Sequence, residues 1–148
     1  MLNLRGIVNI DQRRDGASDQ VQGKSNLFVL GCPRSGTTGL THILNGHHDA
    51  IVGYEVFANI YASNFELFVD GIFESERFVD ALCHLAAGPD GPKWSVVHPS
   101  RVKTARLVEA VRVLGDKVPS YYRRLSELAE RFPRARFLVI YRGRLIPR

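Results

Sequence analysis

The segment Gly31-Cys32-Pro33-Arg34-Ser35-Gly36-Thr37-Thr38 constrains this chain more than any other, because of what stands on either side of it. Before it, Leu27, Phe28, Val29 and Leu30 are apolar at every position, as expected of a central parallel strand covered on both faces. After it, Leu40, Ile43 and Leu44 recur at helical spacing until Gly46. Strand, glycine turn and helix in that order put the loop at the amino end of the helix. Two glycines separated by four residues let the backbone wrap tightly. Successive N–H groups can then converge on one anion, where the helix dipole is also positive. Thr37 and Thr38 add hydroxyl donors, and Arg34 adds a forked, charged donor suited to a phosphate or to a leaving group gaining charge. Nothing in this arrangement requires a metal ion.

Known glycine loops make different demands. A nucleotide triphosphatase loop needs Gly-Lys-Ser/Thr after the spacer, and Thr37 stands at the lysine position. A dinucleotide fold asks for G-x-G-x-x-G, whereas Gly31 and Gly36 are five apart. A cysteine phosphatase would place an arginine six residues after Cys32, where this chain has Thr38. A turn without a ligand is the plain alternative, but Arg, Ser and two Thr are poor core material.

The rest of the chain supplies the fold class. Residues 1–25 mix charged and polar residues and read as a flexible leader with no secretion signal. A short strand is expected near Ile51–Gly53, then helices over Ile60–Asp70 and Glu74–Ala87. Ser100 can cap a helix whose apolar stripe is Val102, Ala105, Val108 and Val111. Val113–Lys117 reads as a strand, and Tyr121, Leu125, Leu128, Ala129 and Phe132 define another amphipathic helix ended by Pro133. Arg136–Tyr141 is again a largely apolar run. Strands alternating with helices of this length predict an α/β domain over 26–148, a P-loop-like parallel sheet flanked by helices.

Charge narrows the ligand. The formal net charge is +5, but residues 1–92 carry 6 basic against 11 acidic groups, and residues 93–148 carry 14 against 4. A basic second half favours an anionic ligand. Two cysteines, Cys32 and Cys83, match no metal or redox spacing and suggest a reducing, cytoplasmic setting. His42, His47, His48, His84 and His98 are scattered without metal spacing. No apolar run approaches the roughly 20 residues of a membrane span.

With these residues in view, the sequence resembles the sulfotransferases that use 3′-phosphoadenosine 5′-phosphosulfate (PAPS). Pro33-Arg34-Ser35-Gly36-Thr37-Thr38 after an apolar strand looks like that family's 5′-phosphosulfate loop. Leu44-Asn45-Gly46-His47-His48-Asp49 resembles the stretch that follows it, with His48 where proline is usual, and leads to Gly53-Tyr54-Glu55. In the protein-tyrosine sulfotransferases and their bacterial relatives, a glutamate at this distance is the general base, and the match falls on Glu55. Gly115-Asp116-Lys117-Val118-Pro119 resembles the segment whose lysine reaches the transferring sulfuryl group, which implies Lys117 beside Arg34. Phe132-Pro133 and Arg136–Arg142 resemble the strand ending in the arginine that binds the 3′-phosphate, so Arg142 takes that role.

The resemblance implies sulfuryl transfer from PAPS to an acceptor hydroxyl or amine. Glu55, Arg34 and Lys117 would be catalytic, and Arg34, Ser35, Gly36, Thr37, Thr38 and Arg142 would hold the donor without a metal. No nucleic acid and no membrane span enter this reading. After Arg142 the family pattern Arg-Asp-x-Arg gives way to Arg142-Gly143-Arg144, which implies a domain incomplete at its C-terminus. A truncated remnant that binds nucleotide without turnover is therefore a rival reading. A P-loop kinase using magnesium and ATP is another, weakened by the missing lysine. A nucleic-acid-binding module ranks last, since no aromatic-interleaved or zinc-finger motif accompanies the basic half.

Overall fold

The computed structural model describes residues 8–9, 23–88 and 100–141. Its centre is a sheet of β1 (Val8–Asn9), β2 (Ser25–Gly31), β3 (Ala50–Tyr54), β4 (Val113–Lys117) and β5 (Arg136–Ile140) in the spatial order β1-β5-β2-β4-β3. The four strands from β5 to β3 are parallel, and β1 pairs antiparallel on the outer edge of β5. The fold is thus α/β, with a four-stranded parallel sheet flanked by helices. The leader reading of residues 1–25 did not foresee β1, where two residues pair with Val139 and Leu138.

Burial explains why β2 is central. Phe28, Val29 and Leu30 are each 0% exposed, so side chains leaving either face of the strand meet protein. Phe28 sits at the middle of an aromatic cluster. Phe68, Phe73, Tyr121 and Phe132 approach its ring edge-on at centroid distances of 4.9–5.9 Å, and Phe137 stacks on it at 5.3 Å. Such contacts add to the area each ring removes from water.

Helix α1 (Thr37–Asn45) leads from β2 to β3. At its last turn Asn45 gives its amide nitrogen to the Val52 carbonyl (2.8 Å) and accepts the Val52 N–H (2.7 Å), which satisfies one residue of the outer strand β3. Lys24 donates to the carbonyls of Val108, Glu109 and Val111, where a cation complements the end of the helix Arg101–Ala110.

Three expectations are corrected. The region 60–70 is not one helix: α2 (Ala58–Ser63) stops at Asn64, and single 3-10 turns follow at Phe65–Leu67 and Ile72–Glu74. From these short turns Phe65, Phe68, Ile72 and Phe73 are all buried in the core. Helix α3 (Glu76–Ala87) matches its expectation closely. In α4 (Arg101–Ala110) the buried stripe is Thr104, Val108 and Val111, and Val102 is 63% exposed, so the helix is rotated from the pattern read in sequence. Finally, the stretch after Pro119 opens as 3-10 turns over Pro119–Arg124 before α5 (Leu125–Arg131), which turns Tyr121 fully inward. Among the described residues no helix is long and apolar enough to cross a membrane.

In this order β2 lies between β4 and β5: the chain leaves β2 for β3 on one side of it and leaves β4 for β5 on the other. The crevice at such a point, at the carboxyl ends of the strands, is where open α/β sheets bind ligands. Phe28→Ala should lower the unfolding free energy by about 3–5 kcal/mol, read as a lower urea midpoint. An unchanged midpoint would show that this ring is not the centre of the core.

Candidate active site

The loop at the end of β2 is shaped by close approach and by backbone hand. A side chain at Gly31 would place its Cβ 2.1 Å from the Ile140 carbonyl oxygen, so only glycine lets β2 and β5 stay paired there. Arg34 and Gly36 have positive φ, 66° and 103°, on either side of Ser35. Such alternation of hand turns successive amides toward a common concavity. The Ser35 N–H donates to the Cys32 carbonyl (3.1 Å), which closes the turn, and the Leu40 N–H donates to the Gly36 carbonyl as α1 begins. Arg34 is exposed. Thr37 is buried in the first helical turn and Thr38 is half-buried.

Ser35 carries the most telling atom of the loop. Its Oγ is buried and has no hydrogen-bond partner among the described residues. A buried hydroxyl left unpaired is costly unless something completes it, and an oxyanion at this loop is a suitable acceptor.

Across the same sheet edge, β3 ends at Tyr54 and the chain turns at Glu55, whose φ of 60° is left-handed. A non-glycine residue in this region costs on the order of 1–3 kcal/mol and persists only where neighbours hold it. The Glu55 N–H donates to the Lys117 carbonyl (2.9 Å), and Lys117 Nζ donates to Glu55 Oε1 (2.7 Å). Side-chain exposure is 6% for Lys117 and 49% for Glu55, so the lysine comes from beneath and the carboxylate faces outward. In register, Lys117 lies beside Val29 on one side and Tyr54 on the other, and its ammonium is 5.7 Å from the Tyr54 ring centroid.

The expected residues are therefore gathered in part. Glu55 and Lys117, 62 positions apart, are in direct contact. Arg34, Ser35, Gly36, Thr37 and Thr38 form the loop at the end of β2, next to the strand that carries Lys117. Arg142 lies outside the described residues, and β5 ends two positions before it, paired with Gly31.

Sequence reasoning passed over two residues. Asp116 is fully buried and accepts hydrogen bonds from the backbone N–H groups of Val56 (3.2 Å) and Phe57 (3.0 Å) and from the Tyr121 hydroxyl (3.0 Å). An acid directly after the uncharged run Val113–Gly115, inside the expected strand, was the available signal. Burial pushes its carboxyl up to about 6, against the opposing effect of these hydrogen bonds. Burial, then the Asp116 charge, raises the Tyr121 hydroxyl well above its ordinary value. Among the described residues no group of three or more His, Cys, Asp or Glu is placed to hold a metal ion.

A parallel sheet with a glycine loop at the end of its central strand, and an acid–lysine pair on the neighbouring strand ends, is an arrangement suited to group transfer from an anionic donor. The match to a family model narrows this further. The model described as the sulfotransferase family matches residues 26–147, and the chain belongs to that family, whose chemistry is transfer of a sulfuryl group. No curated protein matches the chain.

Because the Asp116 carboxyl is raised from 3.8 to about 6, its contribution to stability is fully present below pH 3.8. It is lost as the pH rises through about 6, since over that window the folded chain keeps a proton that the unfolded chain has released. Denaturant unfolding at a series of pH values should show the wild type losing stability relative to Asp116→Asn across that interval and running parallel to it above. Parallel curves throughout would contradict the burial argument.

Proposed function

We propose that the chain transfers a sulfuryl group from PAPS to an acceptor hydroxyl or amine, with Glu55 as the general base. The observation that carries this reading is the Glu55–Lys117 contact of 2.7 Å at the strand edge that also bears the glycine loop. It places a proton acceptor and a buried cation side by side, as removal of a proton from an incoming nucleophile and neutralisation of charge on the transferring group both require.

The loop fits the donor on its own terms. The amides of Ser35 to Thr38 would hold the 5′-phosphosulfate, the orphaned Ser35 Oγ would gain the partner it lacks, and Arg34 is exposed and able to close over the same anion. Arg142, two positions beyond β5 in the sequence, would hold the 3′-phosphate. The donor supplies a sulfuryl group activated by its anhydride bond to phosphate. Glu55 takes the acceptor proton as the new bond to sulfur forms, and Lys117 opposes negative charge on the sulfuryl oxygens and the departing phosphate. Holding these groups on rigid strand ends fixes their geometry in advance, which is a large share of what a site of this kind can supply.

The kinase alternative finds less support. Thr37, at the position where a triphosphatase has its lysine, is buried and neutral.

Two measurements test the reading. Calorimetry should show adenosine 3′,5′-bisphosphate binding with or without magnesium and in preference to ATP; magnesium-dependent ATP binding with no response to the bisphosphate would sink it. Glu55→Gln should reduce sulfuryl transfer to a panel of phenol, sugar and amine acceptors by about 10²- to 10⁴-fold while bisphosphate binding stays near that of the wild type. Full turnover in that variant would remove Glu55 from the role.

A further inference from the structure

The left-handed turn at Glu55 is closed by four hydrogen bonds. Two are from backbone to backbone: the Glu55 N–H to the Lys117 carbonyl (2.9 Å) and the Ala58 N–H to the Glu55 carbonyl (3.2 Å). The other two end on a single side chain. Val56 donates to Asp116 Oδ1 (3.2 Å) and Phe57 to Asp116 Oδ2 (3.0 Å), and the Tyr121 hydroxyl donates to the same Oδ2 (3.0 Å). Both carboxylate oxygens are thus engaged by groups that approach from different elements.

The surroundings are shaped to admit this carboxylate. Gly53 is the register partner of Asp116 in β3, and a Cβ there would lie 3.0 Å from Asp116 Oδ1 and 2.8 Å from Val56 Cγ2. Any side chain at Gly53 would press on the clamp. Side chains alternate along a strand, so Asp116 and Lys117 leave β4 toward opposite faces and still meet one turn. Lys117 meets Glu55 itself; Asp116 meets the two residues after it.

An apolar residue would fill a buried strand position at less cost than a carboxylate. What an apolar residue cannot do is accept the Val56 and Phe57 N–H groups, which have no backbone acceptor among the described residues. Those two amides sit where the chain must leave a strained left-handed residue, so losing their acceptor frees the turn to relax. The Glu55 carboxylate would then leave Lys117.

We propose that Asp116 is a positioning residue: by accepting the Val56 and Phe57 amides it locks the turn that holds Glu55 in its left-handed conformation against Lys117. This rests on the reading of Glu55 as the general base, and it assigns Asp116 no contact with either substrate. Tyr121 completes the device by tying the carboxylate to the aromatic core, through its ring contact with Phe28 at 5.3 Å.

The test compares the full chain with Asp116→Asn and Tyr121→Phe, using three readouts. Amide hydrogen exchange by NMR at Val56 and Phe57 should speed up by about tenfold or more in Asp116→Asn, while the amides of residues 35–38 keep their rates. Affinity for adenosine 3′,5′-bisphosphate should stay within about twofold, because the donor loop is not touched. The kcat for sulfuryl transfer should fall on the order of 10- to 100-fold with the donor KM little changed. Tyr121→Phe should move the same readouts in the same direction by less, and it decides the matter alone if Asp116→Asn does not fold. Unchanged exchange at Val56 and Phe57 overturns the proposal, as does a loss of bisphosphate affinity in step with kcat, which would mark a general disruption. Exchange needs no turnover. A wild-type chain that transfers no sulfuryl group therefore refutes the proposed reaction, while the amides still report whether Asp116 holds the turn.

Discussion

Lys117 couples the sheet to the site. Its backbone is paired in register with Val29 on one side and Tyr54 on the other, its carbonyl receives the Glu55 N–H, and its ammonium holds the Glu55 carboxylate. Parallel pairing delivers the carboxyl ends of β2, β3 and β4 to one edge, and Lys117 is the last residue of the middle strand of those three. A slip of one residue in β4 would exchange the faces of Asp116 and Lys117 and undo both contacts with the Glu55 turn. The register is therefore as much a part of the site as the side chains are.

The aromatic core beneath the sheet fixes that register. Phe28 is opposite Asp116 in the β2–β4 pairing and opposite Phe137 in the β2–β5 pairing, so the residue at the middle of the ring cluster is flanked by the buried acid on one side and by its stacked ring on the other. Tyr121 belongs to both systems, with its ring against Phe28 and Tyr61 and its hydroxyl on Asp116. Strain at Glu55 and Arg34 is concentrated in the two turns that rim the crevice, while the strands behind them are regular and closely packed. Rigid strands supporting strained turns is the distribution expected where geometry, rather than local stability, is what the turn must supply.

Much of this was legible in the sequence, for identifiable reasons. Strand β2 stands out because a strand buried on both faces is apolar without interruption, β5 because Phe137–Ile140 is an apolar run, and α1 because a glycine loop and a clear helical period meet at its start. The stretch 60–70 misled because Tyr61, Phe65 and Phe68 fall at helical spacing even though Asn64 and Gly71 break the chain into short turns. On α4, Val102 drew the apolar stripe to the wrong face, since the period cannot reveal that a threonine, Thr104, is the buried member. The loop could be read from its own chemistry, because a local run of residues makes it. The Glu55–Lys117 contact could not, because it joins positions 62 apart through strand order; resemblance to the sulfotransferases named both residues as catalytic but set Lys117 beside Arg34 rather than Glu55.

The identity of the cation at position 117 also matters to the proposed chemistry. An ammonium has three N–H donors on a freely rotating head, whereas a guanidinium presents its donors in one plane. One Lys117 donor is used on Glu55 Oε1, which leaves two for a second partner without breaking the first contact. On the proposed reading, the lysine can keep the base oriented while it faces the transferring group. Its 6% side-chain exposure means that little water competes for the remaining donors, so their attraction to an anion is weakened less by solvent than it would be at the surface. An arginine here would bring equal charge, but its planar fork would tend to engage both oxygens of Glu55, leaving neither oxygen free of a charged donor to receive a proton. Lysine at the strand end, with a glutamate held on one of its three donors, suits a site in which acid–base work and charge neutralisation share a single cation.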